Sequence, residues 1–226
     1  MKEMLAVPAA LAVVGLLVWK YGRERQLQEA RHNDLLAGCM RLIEDARLIP
    51  ETAGYARLEG RYRGLPVQVR PIVDTLSVRK LPSLWLLVTM PEPLPVRSTL
   101  DLLMRPDAAD SFTNFHRLPV RIDTPPDFPA RAVLRTDDPA AIPPPELLME
   151  HLDPFFGPRA KELLISPRGL RIVWLAEEGD RARYGVFRQA AFSGEPFDPA
   201  VLADLLDRLV RLREAILEWQ AREVRA

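Results

Sequence analysis

The chain has 226 residues, of which 31 are basic and 31 acidic, so its formal net charge at pH 7 is zero. This balance excludes the strongly positive surface that attracts nucleic acid, and we expect no nucleic-acid partner. The single cysteine, Cys39, excludes a secreted fold held by internal disulfides. The length is sufficient to bury a sizeable hydrophobic core.

The first predicted element is an apolar segment, MLAVPAALAVVGLLVW, over residues 4–19. As a helix it spans roughly 24 Å, and Lys20 can extend it toward the ~30 Å hydrocarbon core by snorkelling. The sequence therefore predicts a transmembrane anchor over residues 1–22 that binds the lipid bilayer. The residues expected to contact lipid or its headgroups are Met4, Leu5, Leu11, Leu16, Leu17, Trp19 and Tyr21.

Two alternatives would remove this segment from the mature protein. A signal peptide requires small residues after the apolar run, but WKYGRERQ follows here. The stretch LLAGC, residues 35–39, has the form of a bacterial lipobox, yet a charged stretch separates it from the apolar run. Two residues of this stretch, Leu35 and Cys39, instead continue with Leu42 and Ala46 at the spacing of one helix face.

Basic residues flank the apolar segment unequally, with Lys20, Arg23, Arg25 and Arg31 after it and Lys2 before it. The positive-inside rule then predicts a single-pass protein of the bacterial inner membrane with its C-terminal domain in the cytoplasm. A periplasmic domain is the alternative. The bacterial origin is indicated by the preference for arginine over lysine and the abundant alanine and proline.

A juxtamembrane amphipathic helix is predicted over residues 23–50, because Pro50 ends the helical pattern. Its first half is polar and its second half carries an apolar stripe, so we expect the second half to pack on the soluble domain. That domain is predicted over residues 51–226.

From Ala56 the period of the pattern changes from helix to strand. Alternating residues on both sides of Arg63-Gly64 predict a β-hairpin with one solvated face. LWLLVTM, residues 84–90, is apolar on both faces and predicts a central strand. Further strands are predicted at residues 99–105, 118–123, 131–136, 170–176 and 183–189, the last two joined as a hairpin by a turn at Gly179.

Short connections between these strands favour an antiparallel sheet over parallel βαβ units, so the expected fold class is α+β. In the connection DSFTNFHR, we interpret Phe112 and Phe115 as core anchors. The predicted hairpin also carries four arginines that suggest docking on anionic lipid headgroups; a solvated face is the alternative reading of Arg57, Arg61, Arg63 and Arg70.

The stretch IPPPELLMEHLDPFF predicts a short helix with proline in its first turn. Carboxylates and an imidazole in this pattern are capable of holding a divalent metal, although a polar helix face is the simpler interpretation. The candidate metal ligands are Glu146, Glu150, His151 and Asp153. No further catalytic motif and no cofactor are predicted.

The last element is a long amphipathic helix, capped by Asp198 with Pro199 at its first position. Three-four spacing gives it an apolar seam of about two and a half heptads, too short for a coiled coil, so we expect the helix to lie across the sheet. Its end, from Ile216, is a candidate surface for a partner or for self-association. The seam consists of Leu202, Leu205, Leu209, Leu212, Ile216 and Trp219.

The order of these elements resembles a broad group of bacterial single-pass membrane proteins of unknown function. In that group a Gly-x-x-x-Gly-x-x-Val hairpin follows the anchor, matched here by Gly60, Gly64 and Val67. The resemblance implies a membrane-tethered α+β domain, and it implies no known activity and no catalytic residue.

Two functions are compatible with these features. The first is a non-enzymatic protein-binding or scaffold module tethered to the membrane. The second is a membrane-associated enzyme acting on lipid or envelope-precursor chemistry, with its site near Glu146, Glu150, His151 and Asp153.

Overall fold

A computed structural model describes residues 34–51, 54–75, 81–107, 110, 112–180, 190, 192–223 and 225. Within these residues the chain forms one nine-stranded antiparallel sheet in the order β1-β2-β3-β4-β9-β8-β5-β7-β6. The strands are β1 Glu44–Ile49, β2 Arg57–Tyr62, β3 Leu65–Asp74, β4 Ser83–Met90, β5 Leu100–Met104, β6 Val120–Ile122, β7 Ala132–Thr136, β8 Ala160–Ser166 and β9 Gly169–Glu178.

Among the described residues two α-helices accompany the sheet, α1 Pro145–Leu148 and α2 Pro199–Glu223. The antiparallel sheet and the C-terminal helix confirm the predicted α+β class. Helix α2 begins as predicted: the backbone N–H of Ala200 donates to Oδ1 of Asp198 at 2.8 Å. In the part of the chain that the structure describes, no helix is long and apolar enough to cross a membrane. The predicted anchor, residues 1–22, lies outside the described residues.

The predicted helix over residues 23–50 is wrong beyond Leu42. Residues Ala37–Leu42 form a 3-10 helix, and Glu44–Ile49 form the edge strand β1, which pairs with β2. Asp45 has a φ of 53°, outside the helical region, and it lies where the pairing register shifts. Pairing with the edge of β2 gives hydrogen-bond partners to the backbone N–H and C=O groups of both strands. The free energy of these bonds outweighs the local preference for a helix. Residues 23–33 of the predicted helix lie outside the described residues.

The predicted hairpin at Arg63-Gly64 is confirmed. Both turn residues have positive φ, 50° and 76°, as a two-residue turn between twisted strands requires. Gly60 lies directly opposite Val67 in this hairpin. A Cβ on Gly60 would come within 2.4 Å of Cγ2 of Ile43, so glycine allows the chain entering β1 to cross close to β2.

The central strand β4 and the strands β5, β6, β7 and β9 are also confirmed. Strand β8 is missing from the sequence prediction, and it is the hairpin partner of β9 through a turn at Pro167-Arg168. Strand β9 has β4 on its other side. The segment predicted as its partner, residues 183–189, lies outside the described residues.

One face of the sheet, which we name the helix face, is covered by α2, by the 3-10 helix Ala37–Leu42 and by residues 145–156. The buried residues of α2 pack there against alternate residues of the strands. Cys39 is fully buried in this core, and burial and the charge of Asp198 raise the pKa of its thiol to about 11. The stretch LLAGC therefore packs into the core through the side chains of Leu35, Leu36 and Cys39. We name the opposite side of the sheet the open face.

Candidate functional site

A continuous row of side chains crosses the open face, one residue from each strand. Residues directly opposite one another in antiparallel strands point to the same side, so the pairing register places all nine on one face. Eight of the nine are polar, which is unusual for the middle of a large sheet. The row is Arg47, Glu59, Gln68, Thr89, Arg171, Leu164, Asp101, Arg135 and Arg121.

The neighbouring row is apolar, with two exceptions, Arg70 on β3 and Glu162 on β8. Leu87, Val173, Leu103 and Val133 lie in register across four strands, and Glu162 lies between Val173 and Leu103. Glu162 is fully buried. A charged group is almost never fully buried without a partner, so this position indicates a built arrangement.

The segment before β6 covers this part of the open face. Phe112 and Phe115 are buried in a small cluster with Trp85, which confirms them as core anchors. The ring centroids of Trp85 and Phe112 are 5.7 Å apart. Between the two phenylalanines, the hydroxyl of Thr113 donates to Oδ2 of Asp101 at 3.3 Å.

Two buried ion pairs lie beneath this cover. Nε and Nη2 of Arg171 both lie 2.8 Å from Oε2 of Glu162. Nζ of Lys161 lies 2.9 Å from Oδ2 of Asp110 and donates to the carbonyl of Arg105 at 2.9 Å. Lys161 reaches this side because the register of β8 shifts between Ala160 and Glu162.

Asp101 is the third carboxylate of the cluster, and it forms no ion pair within 4 Å among the described residues, although the charge of Arg171 lies near enough to act on its pKa. Its side chain is 1% exposed, and within the described ranges Oδ1 has no hydrogen-bond partner. Burial, followed by the charge of Glu162, raises the pKa of Asp101 to about 8. Burial likewise raises the pKa of Glu162, while Arg171 opposes this shift. At neutral pH the cluster therefore holds Asp101 as the neutral acid and Glu162 as the partner of Arg171.

A cleft of about 530 Å³ opens above this cluster. We name it the open-face cleft. Its wall combines apolar groups with hydroxyls, an amide and two arginines, and Asp101 forms part of its floor. The lining residues are Thr89, Pro91, Thr99, Asp101, Asn114, Leu118, Leu164, Ser166, Pro167, Arg168, Gly169, Leu170 and Arg171.

The predicted metal ligands lie on the other side of the sheet and do not converge. Glu146 and Glu150 are exposed, and Asp153 lies 3.8 Å from Arg208 through its carboxylate. His151 is buried, and burial lowers its pKa despite the adjacent Glu150. Among the residues that the structure describes, no three His, Cys, Asp or Glu side chains are grouped to hold a metal ion.

The hairpin arginines are engaged within the domain. Arg57 and Arg70 both pair with Glu51, at 3.5 and 2.9 Å, and Arg63 pairs with Asp207 of α2 at 2.8 Å. Arg61 donates to the carbonyl of Gly64. These contacts give each arginine a structural partner other than a lipid headgroup.

The apolar seam of α2 lies in the core. Leu202, Leu205, Leu209, Leu212 and Ile216 are each no more than 1% exposed, and Trp219 is partly buried against them. A partner would therefore find at most the last turns of this helix accessible on that side.

Sequence reasoning missed the residues of the cluster. A signal was present, since LDLLM places Asp101 within an otherwise apolar run and AKELLIS places Lys161 and Glu162 directly before one. A buried polar residue is more informative than an exposed apolar one, and these two carboxylates meet that criterion. Their proximity follows from the pairing of β5 with β8, which the sequence alone does not specify.

Comparison of the chain with protein-family models, curated proteins and solved structures finds no match. The resemblance to single-pass membrane proteins therefore stays a prediction.

Proposed function

We propose that this protein is a non-enzymatic binding module, tethered to the bacterial inner membrane by residues 4–21, which receives a segment of another protein in the open-face cleft. The observation that carries this proposal is the cleft of about 530 Å³ lined in part by Asp101, a buried carboxyl group whose Oδ1 has no hydrogen-bond partner among the described residues. Cavities of this size accommodate a few side chains or a small ligand.

The distribution of covered surface supports the open face as the binding side. The helix face is occupied by α2 and the elements beside it. On the open face, the cover formed by Phe112 and Phe115 leaves the cleft beside it accessible, with Thr89, Leu164 and Ser166 all partly exposed. A rigid sheet that presents a few polar groups in a recess is a common basis for specific recognition.

Site-specific photo-crosslinking in native membranes tests this proposal. A benzoylphenylalanine at Leu164 or Ser166 lies in the cleft, and the same residue at Glu218 lies on the exposed end of α2. We expect a discrete protein adduct from both cleft positions that is absent from the Glu218 position. No adduct from the cleft, or the same adducts from all three positions, would contradict the proposal.

A second function is favoured by one observation. A buried carboxylic acid whose pKa is raised to about 8 has the property of a general acid, which would suit a membrane-associated enzyme acting on envelope precursors. Mass spectrometry of lipids and precursors from cells carrying Asp101→Asn separates the two. Accumulation of one precursor favours the enzyme, and unchanged pools favour the binding module.

A further inference from the structure

Arg168, which lines the open-face cleft, has no counter-charge among the described residues. It follows Pro167 in the β8–β9 turn, where it is exposed. The turn is held in place, because the N–H of Leu94 donates to the carbonyl of Pro167 at 3.2 Å and the N–H of Arg168 donates to the hydroxyl of Ser166 at 3.3 Å. The fold therefore presents one unpaired cation to the cleft on a fixed part of the backbone.

The other charged groups that line the cleft or lie beneath it are compensated. Arg171 lies 2.8 Å from the carboxylate of Glu162, and Lys161 lies 2.9 Å from that of Asp110. Asp101 holds its proton at neutral pH, since burial raises its pKa to about 8. These five groups add no net charge to that of Arg168.

Arg135 adds a second positive charge on the open face. It lies opposite Asp101 on β7 and donates to the carbonyl of Leu118, one of the lining residues, at 2.9 Å. Asp137 accepts the N–H of Thr99 at 2.8 Å, but solvent screens its exposed charge. Even when every carboxyl group of the cluster is ionised, its cations outnumber its anions, so the field favours an anion in the cleft. The cations are Lys161, Arg171, Arg135 and Arg168, and the anions are then Asp101, Asp110 and Glu162.

We propose that the open-face cleft binds a glutamate side chain of the partner protein, whose carboxylate pairs with the guanidinium group of Arg168. This inference rests on the proposed function and names the group that is recognised. A guanidinium group donates two parallel N–H bonds to the two oxygens of a carboxylate, and such a pair is both strong and directional.

The lining favours a carboxylate over a phosphate group. A phosphate carries up to two charges and three acceptor oxygens, which require several cations or backbone N–H groups. The described lining offers Arg168 as one unpaired arginine, and Arg171 is already engaged with Glu162. Pro91 and Pro167, which also line the cleft, have no backbone N–H to donate. A ligand with a single negative charge therefore matches the arginine that is available to receive it.

The remaining groups of the cleft suit both parts of a glutamate side chain. Its two methylene groups require apolar walls, which Leu164 and Leu170 provide. Its carboxylate has lone pairs beyond those that Arg168 occupies. The hydroxyl of Thr89 and the amide of Asn114, both partly or fully exposed, are donors for these lone pairs.

The experiment titrates the full chain in lipid nanodiscs with the pentapeptide acetyl-Ala-Ala-Glu-Ala-Ala-amide at pH 7. The same peptide with glutamine, lysine or phosphoserine in place of glutamate supplies the neutral, cationic and dianionic controls. Binding is followed by NMR through the methyl groups of Leu118 and Leu164, which line the cleft. We expect the glutamate peptide to bind and each control peptide to bind at least tenfold more weakly.

Three variants separate the role of Arg168 from a general change of charge. Arg168→Gln is expected to weaken binding of the glutamate peptide at least tenfold and to leave binding of the glutamine peptide unchanged. Arg168→Lys keeps the charge without the planar fork, so we expect a lower affinity with the preference for glutamate retained. Arg222→Gln removes the same charge from an 80% exposed side chain on α2, across the sheet, and is expected to leave binding unchanged. The Arg168 side chain has no hydrogen bond or ion pair among the described residues, so its substitution leaves the fold intact.

Equal binding of the glutamine or lysine peptide would overturn the inference, and so would full affinity of the glutamate peptide for Arg168→Gln. Tighter binding of the phosphoserine peptide would overturn it in favour of a phosphoryl ligand. If cleft crosslinks form in native membranes but the glutamate peptide does not bind, the inference fails and the proposed function stands. If the glutamate peptide binds through Arg168 but no crosslink forms, the proposed function fails.

Discussion

Asp101 keeps its proton in the native protein up to a pH of about 8, whereas in the unfolded chain its pKa returns to 3.8. Between these values the native state binds more protons than the unfolded state, so the free energy of unfolding falls as pH rises through this window. The Asp101→Asn substitution removes this loss of unfolding free energy, and it keeps an oxygen that accepts the hydrogen bond from the hydroxyl of Thr113. We expect the variant to exceed the wild type in unfolding free energy by roughly 4 kcal/mol at pH 7, about 1.4 kcal/mol for each pH unit above 3.8.

Urea unfolding of both proteins at pH 5, 6, 7 and 8 measures this difference. The advantage of the Asp101→Asn variant is expected to widen with pH up to about 8. A difference that stays constant over this range would contradict the proposed burial of a protonated Asp101. Titrating groups that do not interact with Asp101 act equally on both proteins, and so they cancel in the comparison.

Glu162 and Arg171 form a buried ion pair, and removing the carboxylate leaves the charge of Arg171 without a partner in the sheet. Glu162 is fully buried and Arg171 is 19% exposed at its side chain. Glu162→Gln is expected to lower the free energy of unfolding by about 3 kcal/mol, since the guanidinium loses its counter-charge without regaining water. The matched control is Glu218→Gln, whose partner Arg222 is 80% exposed, and there we expect a change within about 0.5 kcal/mol. Equal effects of the two substitutions in thermal or urea unfolding would refute the buried pair.

At the scale of elements, Gly60 determines how β1 joins the sheet. A Cβ at this position would lie 2.5 Å from the backbone carbonyl of Glu44, which cannot move aside without displacing the strand. Gly60→Ala is expected to destabilise the protein by about 2 kcal/mol and to increase hydrogen exchange of the β1 amides before that of β4. Gly64→Asn is the control, because its neighbourhood is open and asparagine tolerates a φ of 76°. Uniform loss of protection in β1 and β4 would contradict this local role.

The elements that sequence patterns predicted correctly are those whose own residues determine their position. The β2–β3 hairpin has its turn residues and alternation within the eighteen residues from Arg57 to Asp74, and α2 has its cap, its proline and its seam within one segment. Strand β1 was mistaken for helix because its partner, β2, decides its conformation. Strand β8 was overlooked because Lys161 and Glu162 interrupt its apolar run, and both are accommodated only through ion pairs with distant residues. The candidate site therefore depends on contacts between segments that no local pattern reveals.

At the scale of the whole molecule, the first described residues after the proposed tether are held against the folded domain. The backbone N–H of Phe197, just before α2, donates to the carbonyl of Leu35 at 2.8 Å, and Leu36 and Cys39 are buried beside it. The chain that leads from the apolar segment is therefore attached rigidly to the domain from residue 35 onward.

The anchor itself is tested by substitutions in its apolar segment. Leu11→Arg with Leu16→Arg places two charges in the hydrocarbon core, each costing about 2.5–3.5 kcal/mol near its centre. We expect this variant to move from the membrane pellet to the soluble fraction after carbonate extraction. Leu11→Val with Leu16→Val keeps the segment apolar and is expected to stay in the pellet. Recovery of both variants in the pellet would contradict the anchor.

Labelling of cysteine thiols tests on which side of the membrane the domain lies, because the one native cysteine, Cys39, is buried. This thiol is fully buried and its pKa is raised to about 11, so the wild-type protein is expected to resist maleimide reagents while folded. Glu218→Cys adds one exposed thiol at the end of α2, where the glutamate side chain is 70% exposed. With a membrane-impermeant maleimide on intact spheroplasts, a cytoplasmic domain predicts labelling of the variant only after lysis. Labelling before lysis would place the domain in the periplasm, and labelling of the wild type in either sample would show that the core around Cys39 is open.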